Sequence, residues 1–224
     1  MCGIFAVFGN AKSQSFLKQR ELFLNCSKQL RHRGPDWNGI YINEETKVCV
    51  CHERLSIVGV NKGAQPIYDC PYNKNYVLTV NGEIYNYKEL RLSLESGGHQ
   101  FQSECDTEVL LYLYKEYGRG MVEFLDGDFA FAIWDRREKQ LHLARDRFGE
   151  KPLYWGNIKR NNSNKNTFVF ASDLSSIWAL QGVSPQINKS ALNYFFRLGY
   201  IPSPHSIQSG VNQLKAGHYL TIKN

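Results

Sequence analysis

The residue best placed to do chemistry is Cys2, directly behind the initiator methionine in Met1-Cys2-Gly3-Ile4-Phe5-Ala6-Val7-Phe8-Gly9. Methionine removal is expected before a residue as small as cysteine. It leaves a thiol and a free α-amino group on one residue. A thiol titrates near ~8.5 and an α-amine near ~7.7–8.0, so the amine can act as base for its own neighbouring thiol. The competing reading is structural: a cysteine in a buried first strand, where it behaves as a small hydrophobe. Position 2 alone does not decide between them.

A nucleophile at the chain end needs elements to hold it. Residues 3–9 read as a buried strand that ends in glycine. From about Ser15 to Arg31, Phe16, Phe23, Leu24 and Leu30 recur at helical spacing, and Gly34-Pro35 closes that helix. Strands are expected at about 37–42, 47–54 and 76–80, and helices at about 87–95 and from Asp106 to Gly118. Three strands follow, at 129–134, 140–144 and 152–155, the first two joined as a hairpin through Asp135–Lys139. A polar loop at 161–166 precedes a strand at 167–171. Short helices near 173–180 and 189–198, a turn at Ile201–Pro204 and a last strand at 217–222 complete the chain. Helices are grouped between strands rather than alternating strictly with them. That is an α+β pattern with antiparallel sheets.

Composition bounds the alternatives. The chain has 224 residues, 42% hydrophobic and 21% charged, with 13 Tyr, 13 Phe and 4 Trp to build a core. The net charge of +6 is scattered, with no long basic tail, and reads as a solvated surface rather than a nucleic-acid footprint. No apolar run approaches the ~20 residues of a membrane span, and the short apolar start lacks the basic flank of a signal peptide. The six cysteines are Cys2, Cys26, Cys49, Cys51, Cys70 and Cys105. They include no C-x-x-C pair and no zinc-finger spacing, so they read as reduced thiols of a cytoplasmic protein, with no metal site. Cys49 and Cys51 share one face of a strand and read as two core positions.

Four further segments surround Cys2 with chemistry: Arg31-His32-Arg33-Gly34-Pro35-Asp36, His52-Glu53-Arg54-Leu55-Ser56-Ile57, Asn81-Gly82-Glu83-Ile84-Tyr85-Asn86 and Cys105-Asp106-Thr107-Glu108. Together with the N-terminal segment, and in this order, they resemble the glutaminase half of glutamine-dependent asparagine synthetases. Those are class II glutamine amidotransferases. Gly149-Glu150-Lys151-Pro152-Leu153-Tyr154 and Pro202-Ser203-Pro204-His205-Ser206-Ile207 are similar to that family's bacterial branch. Glucosamine-phosphate synthase and phosphoribosyl-pyrophosphate amidotransferase share the N-terminal cysteine and the Asn-Gly pair. They differ around the Arg-Gly-Pro-Asp and His-Glu-Arg-Leu-Ser segments.

The resemblance implies an N-terminal nucleophile hydrolase fold, a four-layer αββα sandwich with two antiparallel sheets, spanning residues 2–224. It implies hydrolysis of L-glutamine to glutamate and ammonia through a Cys2 thioester. Attack on the side-chain amide makes a tetrahedral oxyanion, which needs fixed hydrogen-bond donors. The family pattern assigns those to the Asn81 side chain and the Gly82 backbone N–H. It assigns the α-carboxylate of glutamine to Arg54, whose guanidinium can grip it at two points. The α-ammonium falls to Asp106, with Glu83 nearby and the carbonyls around Ile57 and Val58. Arg33 and Asp36 shape the site.

Plainer readings stand beside these. Asn-Gly between apolar residues is a favoured hairpin turn. Arg54 could be a strand-edge surface charge, and Asp106 a helix N-cap ahead of Val109-Leu110-Leu111. A Cys-His dyad using His32, His52 or His142 is the rival mechanism.

Asparagine synthetases also carry an S-G-G-x-D-S loop that grips ATP. No such loop and no G-x-x-x-x-G-K-[ST] loop occurs in this sequence. The expectation is therefore no cofactor in this chain, with ATP and Mg confined to a synthetase domain or subunit beyond residues 200–224. The similarity ends near Lys215–Leu220, so a truncated product and a free-standing subunit are both expected forms. Two other functions stay open: a glutaminase serving another acceptor, such as a sugar or peptide, and a catalytically silent interaction module.

Overall fold

The computed structural model describes residues 1–9, 16–59, 62–70, 74–159 and 166–223. In chain order the elements begin with β1 (Gly3–Phe8), α1 (Phe16–Lys28), β2 (Trp37–Asn43), β3 (Val48–Arg54), β4 (Ile67–Tyr68) and β5 (Tyr76–Ile84). Next come α2 (Tyr87–Ser96), a 3-10 turn (Asp106–Glu108), α3 (Val109–Tyr117) and a second 3-10 segment (Gly118–Phe124). They continue with β6 (Gly127–Asp135), β7 (Gln140–Arg145), β8 (Tyr154–Lys159), β9 (Asn166–Ala171), α4 (Leu174–Trp178), α5 (Lys189–Leu198), β10 (Val211–Gln213) and β11 (Tyr219–Lys223).

The strands form two antiparallel sheets, ordered β10-β8-β9-β1-β3-β2 and β11-β7-β6-β5-β4. Strand alternation explains how they stack. On β1, Ile4, Ala6 and Phe8 meet Ala130, Ala132 and Trp134 of β6 in a core between the sheets. Phe5 and Val7 point the other way, against Phe23 and Cys26 of α1 and Ile177 of α4. The outer face of the second sheet, through Leu78, Val80, Phe131 and Ile133, packs on Val109–Tyr114 of α3 and Leu94 of α2. Helix, sheet, sheet and helix thus make the four layers that the resemblance implies. Because β1 is buried on both faces, its sequence is a nearly continuous apolar run with only weak alternation.

Several expected elements shift. The strand expected at 76–80 runs on to Ile84, so Asn81 and Gly82 lie inside β5, paired with Ala130 and Phe129. The hairpin-turn reading of Asn-Gly is therefore incorrect. Gly82 is required because a Cβ there would run into the Asp128 carbonyl and lie 2.6 Å from the Phe129 Cα. The strand expected at 152–155 starts at Tyr154 and extends to Lys159. Strands β4 and β10 have two and three residues, too short for any periodicity to show. The helix start at Ser15 and the polar loop through Lys165 lie outside the described residues, while Asn166 opens β9. Cys49 and Cys51 are free core thiols with sulfurs 3.8 Å apart, as their strand spacing predicts. Among the described residues, no helix is long and apolar enough to cross a membrane.

Candidate active site

Cys2 sits just ahead of β1, and the pairing of Gly3 with Glu53 brings it to the end of β3. The Leu55 N–H points at the Cys2 Sγ from 3.4 Å, and the Leu55 carbonyl is 3.6 Å from the same sulfur. Arg33 Nε donates to the Cys2 carbonyl at 3.1 Å. Ser172, just beyond β9, accepts the Ile4 N–H at 3.0 Å and returns its own N–H to the Ile4 carbonyl at 2.9 Å. The Arg-Gly-Pro-Asp turn is tied down beside them. Asp36 Oδ2 accepts the Ser56 N–H at 2.8 Å, and the Asp36 N–H donates to the Arg54 carbonyl at 3.0 Å. Gly34 is needed because a Cβ would collide with the Glu53 carbonyl. Arg33 and Asp36 thus hold the frame around the thiol.

One cavity collects the expected residues. Cys2, Arg54, Ile57, Val58, Asn81, Gly82, Glu83 and Asp106 all line it. Met1 forms part of its wall, so removing Met1 widens it. Arg54 is not a surface charge: it is buried, and its Nη2 donates to the carbonyls of Val58 (3.2 Å) and Gly59 (2.8 Å). Those bonds fold the turn after β3 over the cavity. Asn81 is fully buried, and neither atom of its amide has a hydrogen-bond partner among the described residues. An unsatisfied amide in an interior costs about 1–3 kcal/mol, an expense that persists where a bound group completes it.

Asp106 does not cap α3, whose N-cap position is held by Glu108; it lies inside the preceding 3-10 turn, behind Cys105. Its Oδ2 instead accepts the Ile84 N–H at 2.9 Å, tying the end of β5 to the 3-10 turn. Burial raises the Asp106 carboxyl above its ordinary range, against the pull of that hydrogen bond. Burial likewise raises the Cys2 thiol, while the Leu55 N–H, the terminal ammonium and Arg54 draw it back. In this form the ammonium belongs to Met1.

Among the described residues, no histidine lines the cavity. His32 is exposed. His142 Nδ1 lies 2.9 Å from Thr221 Oγ1 on the second sheet. His52 is fully buried between the sheets, with Nδ1 3.1 Å from Thr79 Oγ1. Burial, with the nearby charge of Arg54, pushes its pKa down to about 3, so the ring is neutral. The Cys-His dyad has no geometry here.

Sequence reasoning assigned no role to Leu55, Gln65, Cys105, Thr107 or Lys151, which complete the wall. Leu55 acts through its backbone, which no residue type advertises. Gln65 Oε1 accepts the Val80 N–H at 2.7 Å and seals the flank of β5. Lys151 belongs to the Gly-Glu-Lys-Pro-Leu-Tyr segment and carries an ion pair with Asp128.

A family model described as a glutamine amidotransferase domain matches residues 1–224. The chain belongs to that family. Asparagine synthetase [glutamine-hydrolyzing] 2 of Oryza sativa subsp. japonica is 47% identical over 156 residues, covering 70% of this chain and 25% of the relative. Asparagine synthetase [glutamine-hydrolyzing] 1 of Bacillus subtilis (strain 168) is 36% identical over 224 residues, covering 100% of this chain and 34% of the relative. The chain therefore spans a quarter to a third of the length of these relatives. Among solved structures, glutamine phosphoribosylpyrophosphate amidotransferase from B. subtilis, complexed with ADP and GMP, superposes with a TM-score of 0.65 at 22% identity. That match covers 84% of this chain and 45% of the other. The amidotransferase domain thus has the N-terminal nucleophile hydrolase fold.

Proposed function

We propose that this amidotransferase domain hydrolyses L-glutamine through a thioester on Cys2 and delivers ammonia to an ATP-dependent synthetase that makes asparagine from aspartate. The observation that carries the reading is the meeting of Cys2, Arg54, Asn81, Gly82, Glu83 and Asp106, from four separate segments, on one cavity wall.

With Met1 removed, the Cys2 amine takes the thiol proton as Sγ attacks the amide carbon. Asn81 Nδ2 and the Gly82 N–H stabilise the oxyanion. The amine returns the proton to the departing nitrogen, and ammonia leaves a glutamyl thioester. Water then attacks, with the amine again as base, releasing glutamate and restoring the thiol. Arg54 binds the α-carboxylate. Asp106 and Glu83 hold the α-ammonium, with the carbonyls of Ile57 and Val58 beside them.

Residues 2–224 form the amidotransferase unit in this reading, with about 200–224 leading toward a synthetase domain or subunit. That partner supplies the ATP and Mg site. A cytoplasmic location fits six cysteines that form no disulfide among the described residues. The test is glutamate release from L-glutamine by the purified chain, lost in Cys2→Ala. A folded chain that releases none overturns the reading. Coupling the chain to a synthetase and assaying asparagine against amidated sugars or peptides fixes the acceptor.

A further inference from the structure

Strand β4 pairs with β5 at only two positions, Ile67 with Leu78 and Tyr68 with Val77. The same register carried two residues further sets Gln65 opposite Val80, the residue before Asn81. The Gln65 backbone carbonyl lies against β2 instead, where a Cβ on Gly39 would collide with it. The Gln65 side chain makes the rung. Its Oε1 accepts the Val80 N–H at 2.7 Å, and its Nε2 donates to the Val80 carbonyl at 3.4 Å. One carboxamide, carrying both an acceptor and a donor, thus stands in for a strand residue.

That rung sits beside the chemistry. Gln65 and Val80 are both buried, and Gln65 lines the Cys2 cavity together with Asn81 and Gly82. The opposite edge of β5 is held by β6, which pairs Asn81 with Ala130 and Gly82 with Phe129. The Asn81 side-chain amide has no hydrogen-bond partner among the described residues, so its direction is inherited from the backbone of β5. The Gly82 N–H is itself part of that backbone. Both proposed oxyanion donors therefore stand where β5 is put by β6 on one edge and by Gln65 on the other.

We infer that Gln65 is a positioning residue for the oxyanion hole. Its carboxamide fixes the edge of β5 at Val80 and so sets where Asn81 Nδ2 and the Gly82 N–H stand relative to the Cys2 sulfur. The inference rests on the proposed role of Asn81 and Gly82; Gln65 itself touches no reacting atom. Without its amide, the N–H and carbonyl of Val80 are left buried and unpaired, which the backbone relieves by shifting. A misplacement of about 1 Å can cost roughly a hundredfold in rate. A smaller shift of the two donors is expected to cost about tenfold.

The test is a double-mutant cycle on glutamine hydrolysis, with wild type, Gln65→Met, Asn81→Ala and the double variant. Methionine keeps the length of the side chain and removes both bonds to Val80. Gln65→Met is expected to lower kcat about tenfold, with KM within about twofold. In the Asn81→Ala background the donor that Gln65 positions is gone, and the same change is expected to cost less than about threefold. An unchanged kcat in Gln65→Met overturns the proposal, as does a loss as large in the Asn81→Ala background as in the wild type. A merely loosened loop would act on Arg54 instead, because Gly63 lies against its guanidinium, where a Cβ would collide with Nη2. KM rising as much as kcat falls therefore also overturns it. Should Gln65→Met fail to fold, Gln65→Asn, whose amide is one methylene short of Val80, decides by the same cycle with the same expectations. Asn81→Ala separates the two readings. Unchanged kcat there sinks the oxyanion role of Asn81 and the inference with it. A loss there with none in Gln65→Met sinks the inference alone.

Discussion

The Cys2 sulfur lies 3.4 Å from the N–H of Leu55, so the thiol is fastened to the turn after β3 rather than to its own strand. That same turn is folded by Arg54 through the carbonyls of Val58 and Gly59. Nucleophile placement and the proposed carboxylate grip therefore share one piece of backbone.

The free α-amine should be obligatory. Mass spectrometry of active protein should show Met1 removed, and a glutamine-analogue electrophile such as diazo-oxo-norleucine should label Cys2. The buried Cys26, Cys49, Cys51 and Cys105 and the half-buried Cys70 should stay unlabelled. Full activity in a chain that retains Met1 removes the amine from the mechanism.

Asn81→Ala should lower kcat about a hundredfold or more, since one oxyanion donor is worth roughly 2.7–4 kcal/mol. KM should change little. Stability should hold or rise slightly, because the amide makes no hydrogen bond among the described residues. A variant changed only in KM would place the oxyanion elsewhere.

Arg54→Ala should act at two levels. The loss of two charge-assisted bonds to carbonyls should destabilise the fold by about 2–3 kcal/mol, measured by denaturant unfolding. Glutamine KM should rise much more than kcat falls. Arg54→Lys should recover part of the stability and little of the affinity, because an ammonium lacks the planar fork. Wild-type KM in Arg54→Lys would argue against two-point binding of the carboxylate.

Acid stability should depend on His52. The folded chain keeps this ring neutral down to about pH 3, whereas an unfolded histidine takes its proton near 6.5. Between those values the unfolded state binds the extra proton, so stability falls as pH drops. The loss should reach about 3 kcal/mol between pH 7 and pH 4. His52→Gln should flatten that slope in urea titrations at the two pH values. An equal slope in the variant would mean that other groups carry the acid sensitivity.

Much of this molecule was legible in one dimension. The N-terminal cysteine and the four ordered segments pointed to the family, and apolar spacing placed most strands and helices within a few residues. Those signals are local: a side-chain period, a cap, a turn residue. What needed the tertiary structure was every property that depends on a partner distant in sequence. Asn81-Gly82 has the composition of a turn, and only pairing with Ala130 and Phe129 makes it the middle of a strand. Arg54 and Asp106 have ordinary surface readings until the chain buries them against Val58, Gly59 and Ile84. The Leu55 N–H carries no signature in its side chain. The Lys151–Asp128 ion pair joins the loop after β7 to β6, a meeting that neither residue type announces. Residue types set which chemistry was available; the register of two sheets set which of those residues meet.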